Sequence, residues 1–118
     1  MDYLNKVEMV GRTGRKCEED AISGDVTRVV FNVYTEESDR GFSKLQGPST
    51  TKIPVSVTVF PGGTFQDFVF RPSTPIRVVG TLVQCASGRL RGVPSDYYVM
   101  LSAAEYILNE EEERHDTV

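Results

Sequence analysis

Thr27-Arg28-Val29-Val30-Phe31-Asn32-Val33-Tyr34-Thr35-Glu36 is the stretch on which the reading of the fold turns. Val29, Phe31 and Val33 fall on one side of an extended chain, and Val30, Asn32 and Tyr34 on the other. A period of two with β-branched and aromatic residues is the pattern of a half-buried strand, because successive side chains of a strand point to opposite faces.

The same period recurs on either side of it. Upstream, Val7 and Met9 alternate with Lys6 and Glu8, which predicts a first strand over about 4–12. Gly11 allows a bulge or bend there, with continuation through Arg15-Lys16-Cys17. Glu18 to Gly24 reads as a loop. Downstream, Ser38 to Thr51 is polar, holds Gly41, Gly47 and Pro48, and reads as a long exposed connection. A third strand over about 52–60 sets Val55, Val57 and Val59 inward and Pro54, Ser56, Thr58 and Phe60 outward. Pro54 has no N–H to give a ladder, so it belongs at the strand start or an edge.

Residues 61–74 resist a simple assignment. Phe65, Phe68 and Val69 have the spacing of a short helix across a barrel end, and Pro61, Gly62, Gly63 and Pro72 confine it to about 64–70. A fourth strand over 75–85 alternates Ile76, Val78, Gly80 and Leu82 against Arg77, Val79, Thr81 and Val83. Ala86 to Ser95 makes a hairpin loop, and a last strand runs over about 96–106. The expected class is all-β, with five strands and a short helix or turn between the third and fourth. Five short strands cannot bury both faces as an open sheet, so closure into a barrel is expected.

Composition sets bounds. The 118 residues suffice for one domain and are too few for two. No apolar run approaches the ~20 residues of a membrane span, and Met1-Asp2-Tyr3-Leu4 is no secretory start, so a cytoplasmic protein with no membrane partner is expected. Cys17 and Cys85 lie far apart, which favours two reduced thiols over a disulfide. A single histidine, His115, makes a zinc site improbable, and no cofactor is expected. The net charge is −4. It is concentrated at the end: residues 105–118 hold Glu105, Glu110, Glu111, Glu112, Glu113 and Asp116 against Arg114. Thirteen basic residues less that one, and seventeen acidic less those six, leave the body at +1. Phosphate binding depends on local patches, so the total does not exclude it.

Leu4-Asn5-Lys6-Val7-Glu8-Met9-Val10-Gly11-Arg12 resembles the opening strand of bacterial single-stranded DNA-binding proteins, which begin with Asn, an alternating strand and Val-Gly-Arg. Phe31-Asn32-Val33-Tyr34-Thr35 is similar to that family's Phe-x-Leu-Ala-Thr segment. Val57-Thr58-Val59-Phe60, Ile76-Arg77-Val78-Val79-Gly80-Thr81-Leu82 and Ala104-Glu105-Tyr106-Ile107-Leu108 continue the likeness in order, over about 4–108. The resemblance implies an OB-fold barrel over residues 1–108, followed by an acidic tail over 109–118.

It also implies a function: sequence-tolerant binding and protection of single-stranded DNA in replication, recombination or repair. Basic side chains would follow the backbone, and bases would stack on aromatic rings at ~1–3 kcal/mol each. Phe60 matches a stacking position of the family, the other reading being a cap on a patch with Phe65 or Phe68. Tyr34 faces outward and would stack or sit in a subunit contact. Arg12, Arg15 and Lys16 cluster at the end of the first strand. Arg40, Lys44 and Lys52 lie on or beside the long loop, Ser56 and Arg77 project from strands, and Arg89 and Arg91 sit on the hairpin loop. Each alone reads as readily as a solvated charge; their coincidence with the loops that OB barrels use for ligands joins them into a set. The family's homotetramers, or homodimers, and possible replication-protein partners are implied too.

There are departures. The chain has no tryptophan, where the family stacks bases on two or three. Pro54 and Ser87 stand near two of those positions, and Phe42, Tyr97 and Tyr98 are candidate replacements. The tail ends Asp116-Thr117-Val118 instead of an apolar tip, which fits a plain solvated end as well as a recruiting tail. The missing tryptophans and short helical segment support an alternative, an OB-fold interaction module of a primosome or replication-restart assembly that binds DNA weakly. An enzyme is the weakest reading. Gly11-Arg12-Thr13-Gly14-Arg15 is too short for a phosphate loop, and no histidine stands near either cysteine.

Overall fold

The computed structural model describes residues 4–37, 49–86, 88–90 and 93–107. Its strands are β1 (Val7–Ser23), β2 (Val26–Glu37), β3 (Ser49–Val59), β4 (Pro75–Gln84), β5 (Arg89–Leu90), β6 (Val93–Pro94) and β7 (Tyr97–Tyr106). Five of them close a barrel in the order β1-β2-β3-β7-β4, and β5 and β6 form a small separate ribbon. The all-β, five-stranded class is as expected.

β1 closes the barrel by serving two neighbours. Val7–Arg12 pairs with β4, and Arg12–Ser23 pairs with β2. Where it passes from one to the other it must run close to β2. A Cβ on Gly11 would stand 2.3 Å from the carbonyl oxygen of Tyr34, so only glycine lets the strands meet at that point. The bulge itself lies further on: Thr13 faces Val33 and Cys17 faces Phe31, so Gly14, Arg15 and Lys16 together stand opposite Asn32.

The core is the inward face of the predicted alternation. Val29, Phe31, Val33, Val55, Val57, Ile76, Val78, Val99 and Leu101 are buried together. Thr13 is the exception in kind, 2% exposed and polar. Its hydroxyl donates to the carbonyl of Arg71 at 2.5 Å and accepts from the Thr74 N–H at 2.9 Å, which removes the penalty of burying it. Cys17 and Cys85 are free thiols.

Three expectations need correction. Glu18–Ser23 is strand, not loop. With Val26–Val30 it forms an arm turned by Gly24, whose φ is +49°, and Asp25. Its last six β1 residues are all exposed, so this half of the arm has no face to bury and needs no apolar alternation; ladder pairing with Val26–Val30 holds it.

The 64–70 segment is a run of turns. Gln66 N–H bonds to Gly63 carbonyl and Phe68 N–H to Phe65 carbonyl, three residues back in each case. Phe65, Phe68 and Phe70 still plug the barrel end, Phe68 stacked on Phe31 at 5.8 Å and Phe70 tilted against it at 5.2 Å. Val69, which helical spacing placed inward, is exposed. Finally, β3 begins at Ser49 and ends at Val59, leaving Phe60 just beyond the ladder.

Candidate nucleic-acid interface

The bulge in β1 makes the site. Three residues crowded opposite one push the strand outward and re-aim their side chains, as bulges beside functional sites do. The result is an open groove of about 450 Å³ lined by Arg12, Thr13, Gly14, Arg15, Lys16, Asn32, Tyr34 and Ser73. Gly14 shapes its floor: a Cβ there would lie 3.1 Å from Tyr34 Cε2 and 3.8 Å from Asn32 Cβ. Tyr34 is 38% exposed, with the rest of its ring covered by β1.

The rim is fixed as well. Arg12 donates to the carbonyl of Ser73 at 2.9 Å, and the Ser73 N–H bonds to the carbonyl of Gly14 at 3.1 Å. Ser73 has φ +50°, a left-handed backbone uncommon for serine and a conformation that accumulates at binding sites. Arg12 pairs with Tyr34, and Tyr34 with Lys52. The three lie side by side across three strands on the outer face. Four of the predicted residues (Arg12, Arg15, Lys16 and Tyr34) thus share one groove, with Lys52 beside it.

Others are placed elsewhere. Phe60 is 41% exposed and eight residues along from Lys52, ~26 Å away at the usual rise of a strand. Its ring lies over Gly63, whose added Cβ would stand 2.7 Å from Phe60 Cζ. It forms no ring pair with Phe65 or Phe68 among the described contacts.

Arg77 ion-pairs with Glu8 and stands opposite Glu105 in the ladder, so carboxylates flank it on β1 and β7. Arg89 lies on β5. Arg40, Lys44 and Arg91 lie outside the described residues, as do Phe42, Ser87 and the acidic tail.

Ser56 faces away from the core, as expected, yet it is only 5% exposed, a small side chain between its ladder partners Val30 and Met100. Its hydroxyl accepts from Arg28 Nε at 3.2 Å. Arg28 in turn lies 5.6 Å from the centre of the Tyr98 ring, a cation–π distance.

Sequence reading passed over Arg28, Asn32 and Gly14. Their parity with Tyr34, or their place in the bulge, was the only signal available.

Two groups outside the groove have shifted acidity. Burial, and then Glu19, push the Cys17 thiol up. Burial pushes the Tyr106 phenol up against an opposing pull from the Arg71 N–H and charge. No group of three or more His, Cys, Asp or Glu side chains could hold a metal ion among the described residues. No described helix is long and apolar enough to cross a membrane.

No family model matches the chain, and no curated protein matches it. Solved structures do. A Plasmodium falciparum SSB in complex with ssDNA is similar at 21% identity and a TM-score of 0.68, over 92% of this chain and 98% of that one. The dimeric N-terminal domain of PriB from Thermoanaerobacter tencongensis is similar at 12% identity and 0.62, over 89% and 98%. The second single-stranded DNA-binding protein of Mycobacterium smegmatis is similar at 16% identity and 0.60, over 88% and 89%. At such identities the likeness speaks for architecture: this chain has the OB barrel found in the single-stranded DNA-binding proteins and PriB, over nearly its whole length.

Proposed function

We propose that this protein binds single-stranded DNA with broad sequence tolerance and protects it in replication, recombination or repair. The observation that carries the proposal is the bulge-built groove, in which Arg12, Arg15 and Lys16 surround the exposed ring of Tyr34. Cations beside an aromatic platform on an OB barrel are what a flexible strand needs. Phosphates release counterions to the cations, and a base covers the ring. Lys52 on the outer face of β3 and the exposed Phe60 just past its end extend the track beyond the groove.

The barrel, residues 1–108, is the binding unit, and residues 109–118 form an acidic tail. No catalytic step is assigned. One barrel offers contact to a short piece of strand, so an oligomer, a homotetramer or a homodimer, gives the longer wrapping that protection requires. The fold's likeness to a structure solved with ssDNA supports the ligand. A cytoplasmic setting and replication-protein partners accord with such a role.

The test is a fluorescence titration of labelled oligo-dT and of matched duplex at two salt concentrations, with light scattering for mass. Salt-sensitive preference for the single strand by an oligomer is the expected outcome. Equal binding of duplex would overturn it. Weak binding by a dimer would shift the role to a protein-assembly module.

A further inference from the structure

The groove contains a feature that sequence-tolerant binding does not use. Asn32 lies on its wall, half-buried, opposite the three-residue bulge and two positions from Tyr34 on the same face of β2. No hydrogen bond holds its carboxamide among the described residues, although nearby polar groups are engaged: Thr13 with Arg71 and Thr74, and Arg12 with Ser73. A half-buried amide on a groove wall keeps two N–H donors and a carbonyl acceptor available to a ligand. Gly14 keeps the space in front of it clear, since a Cβ there would approach both Asn32 and Tyr34.

We infer that this groove seats one base of the strand against Tyr34 and that Asn32 reads its edge, with adenine preferred. The inference rests on the single-strand reading above. The choice of base requires that the base present its N7 edge to the amide, because the Watson–Crick edge of any base offers a donor beside an acceptor. The amide's NH₂ donates and its oxygen accepts, side by side, which complements the N7 acceptor and N6 amino donor of adenine. Guanine offers two acceptors on that edge, cytosine a donor, and thymine an acceptor beside a methyl group. Arg15 and Lys16 hold the phosphates on either side and carry no base information. The protein is thus tolerant along most of its track and selective at one position per barrel.

The experiment uses short dT oligomers with one central thymidine replaced by dA, by dC or by 7-deaza-dA, titrated at one fixed salt concentration. The dA oligomer should bind about fivefold or more tightly than all-dT, the lower end of what a bidentate amide–adenine pair discriminates. The 7-deaza oligomer, which lacks only the N7 acceptor, should lose most of that gain. The Asn32→Ala variant should bind the dA and dT oligomers alike, whatever its absolute affinity. Tight but equal binding of the dA, dC and dT oligomers by the unaltered protein would overturn the inference and leave the single-strand reading standing. A dA preference that survives Asn32→Ala would overturn it as well. Failure to bind any of the oligomers would remove both.

Discussion

Replacing Arg15 and Lys16 together by glutamine separates a phosphate-binding groove from a merely solvated one. Both side chains are exposed on the bulge, so the change should leave stability within about 0.5 kcal/mol. Four cations surround the Tyr34 ring: Arg12, Arg15, Lys16 and Lys52. Arg12 spends one of its N–H groups on Ser73 and keeps the others for a ligand. Each phosphate neutralised on a single strand contributes about −0.7 to the slope of log K against log salt. Four contacts then give about −2.8 per barrel, and a loss of about 50-fold between 50 and 200 mM salt. The double variant keeps two contacts, a slope of about −1.4 and a loss of about sevenfold over the same range. Titrating labelled oligo-dT at several salt concentrations measures both slopes. A double variant with the melting temperature and the salt slope of the unaltered protein would refute the placement of the strand in this groove.

Phe60→Ala should cost about 1–3 kcal/mol of oligo-dT affinity if the ring stacks on a base; unchanged affinity in a folded variant would leave the ring as a cover for the Gly63 turn. Thr13→Val keeps the shape but strands the Arg71 carbonyl and the Thr74 N–H, and should lower unfolding free energy in urea by about 1–3 kcal/mol. Tyr106 has its pKa raised above the ordinary 10.0, mainly by burial. Its contribution to stability is therefore complete below the unfolded value and lost as pH rises through the folded one. Cys17, raised from 9.0, adds a loss of the same sign beginning lower. Urea midpoints followed upward from neutral pH should fall in this alkaline range, and Tyr106→Phe should fall less steeply.

How much of this was legible in the sequence depends on whether a residue's role is local. Val29, Phe31 and Val33, Val55 and Val57, and Ile76 and Val78 declare their inward face by alternation, and all are buried. The barrel follows from them. The stretch Glu18 to Gly24 reads as loop because it shows no apolar alternation. A strand outside the barrel has no apolar face to betray it. The sequence places Phe65 and Phe68 at the barrel end but leaves the backbone between a short helix and a turn, since the spacing of apolar residues cannot tell a helix from successive turns confined by Gly63 and Pro72. The groove shows the deeper limit. Arg12, Arg15, Lys16 and Tyr34 could be named singly, yet what joins them is a register shift between Thr13 and Cys17. A register shift is a relation between two strands, and no one-strand pattern contains it.

The same relation resolves the conflict between a net charge of −4 and a polyanionic ligand. On β1, the groove cations and most of the acidic residues fall at different positions along the strand. Glu18, Glu19 and Asp20 lie on the arm of β1 beyond the bulge, with Asp25 in its turn. Arg12, Arg15 and Lys16 lie at the bulge or before it. On the opposite side of β1, the Arg77 charge is already matched by Glu8. Interactions between exposed charges fade over about 8–10 Å at physiological salt, so a phosphate in the groove responds mainly to the cations at its rim. The acidic arm then limits the route. A strand leaving the groove along the arm passes the exposed Glu19 carboxylate, whereas one turning across Lys52 onto the outer face of β3 does not. If that is the path, reversing the arm's charge with Glu19→Lys and Asp25→Lys should raise affinity for long oligomers more than for short ones, because only the long strand reaches the arm. An equal gain at both lengths would mean that the arm acts through overall charge and does not direct the strand.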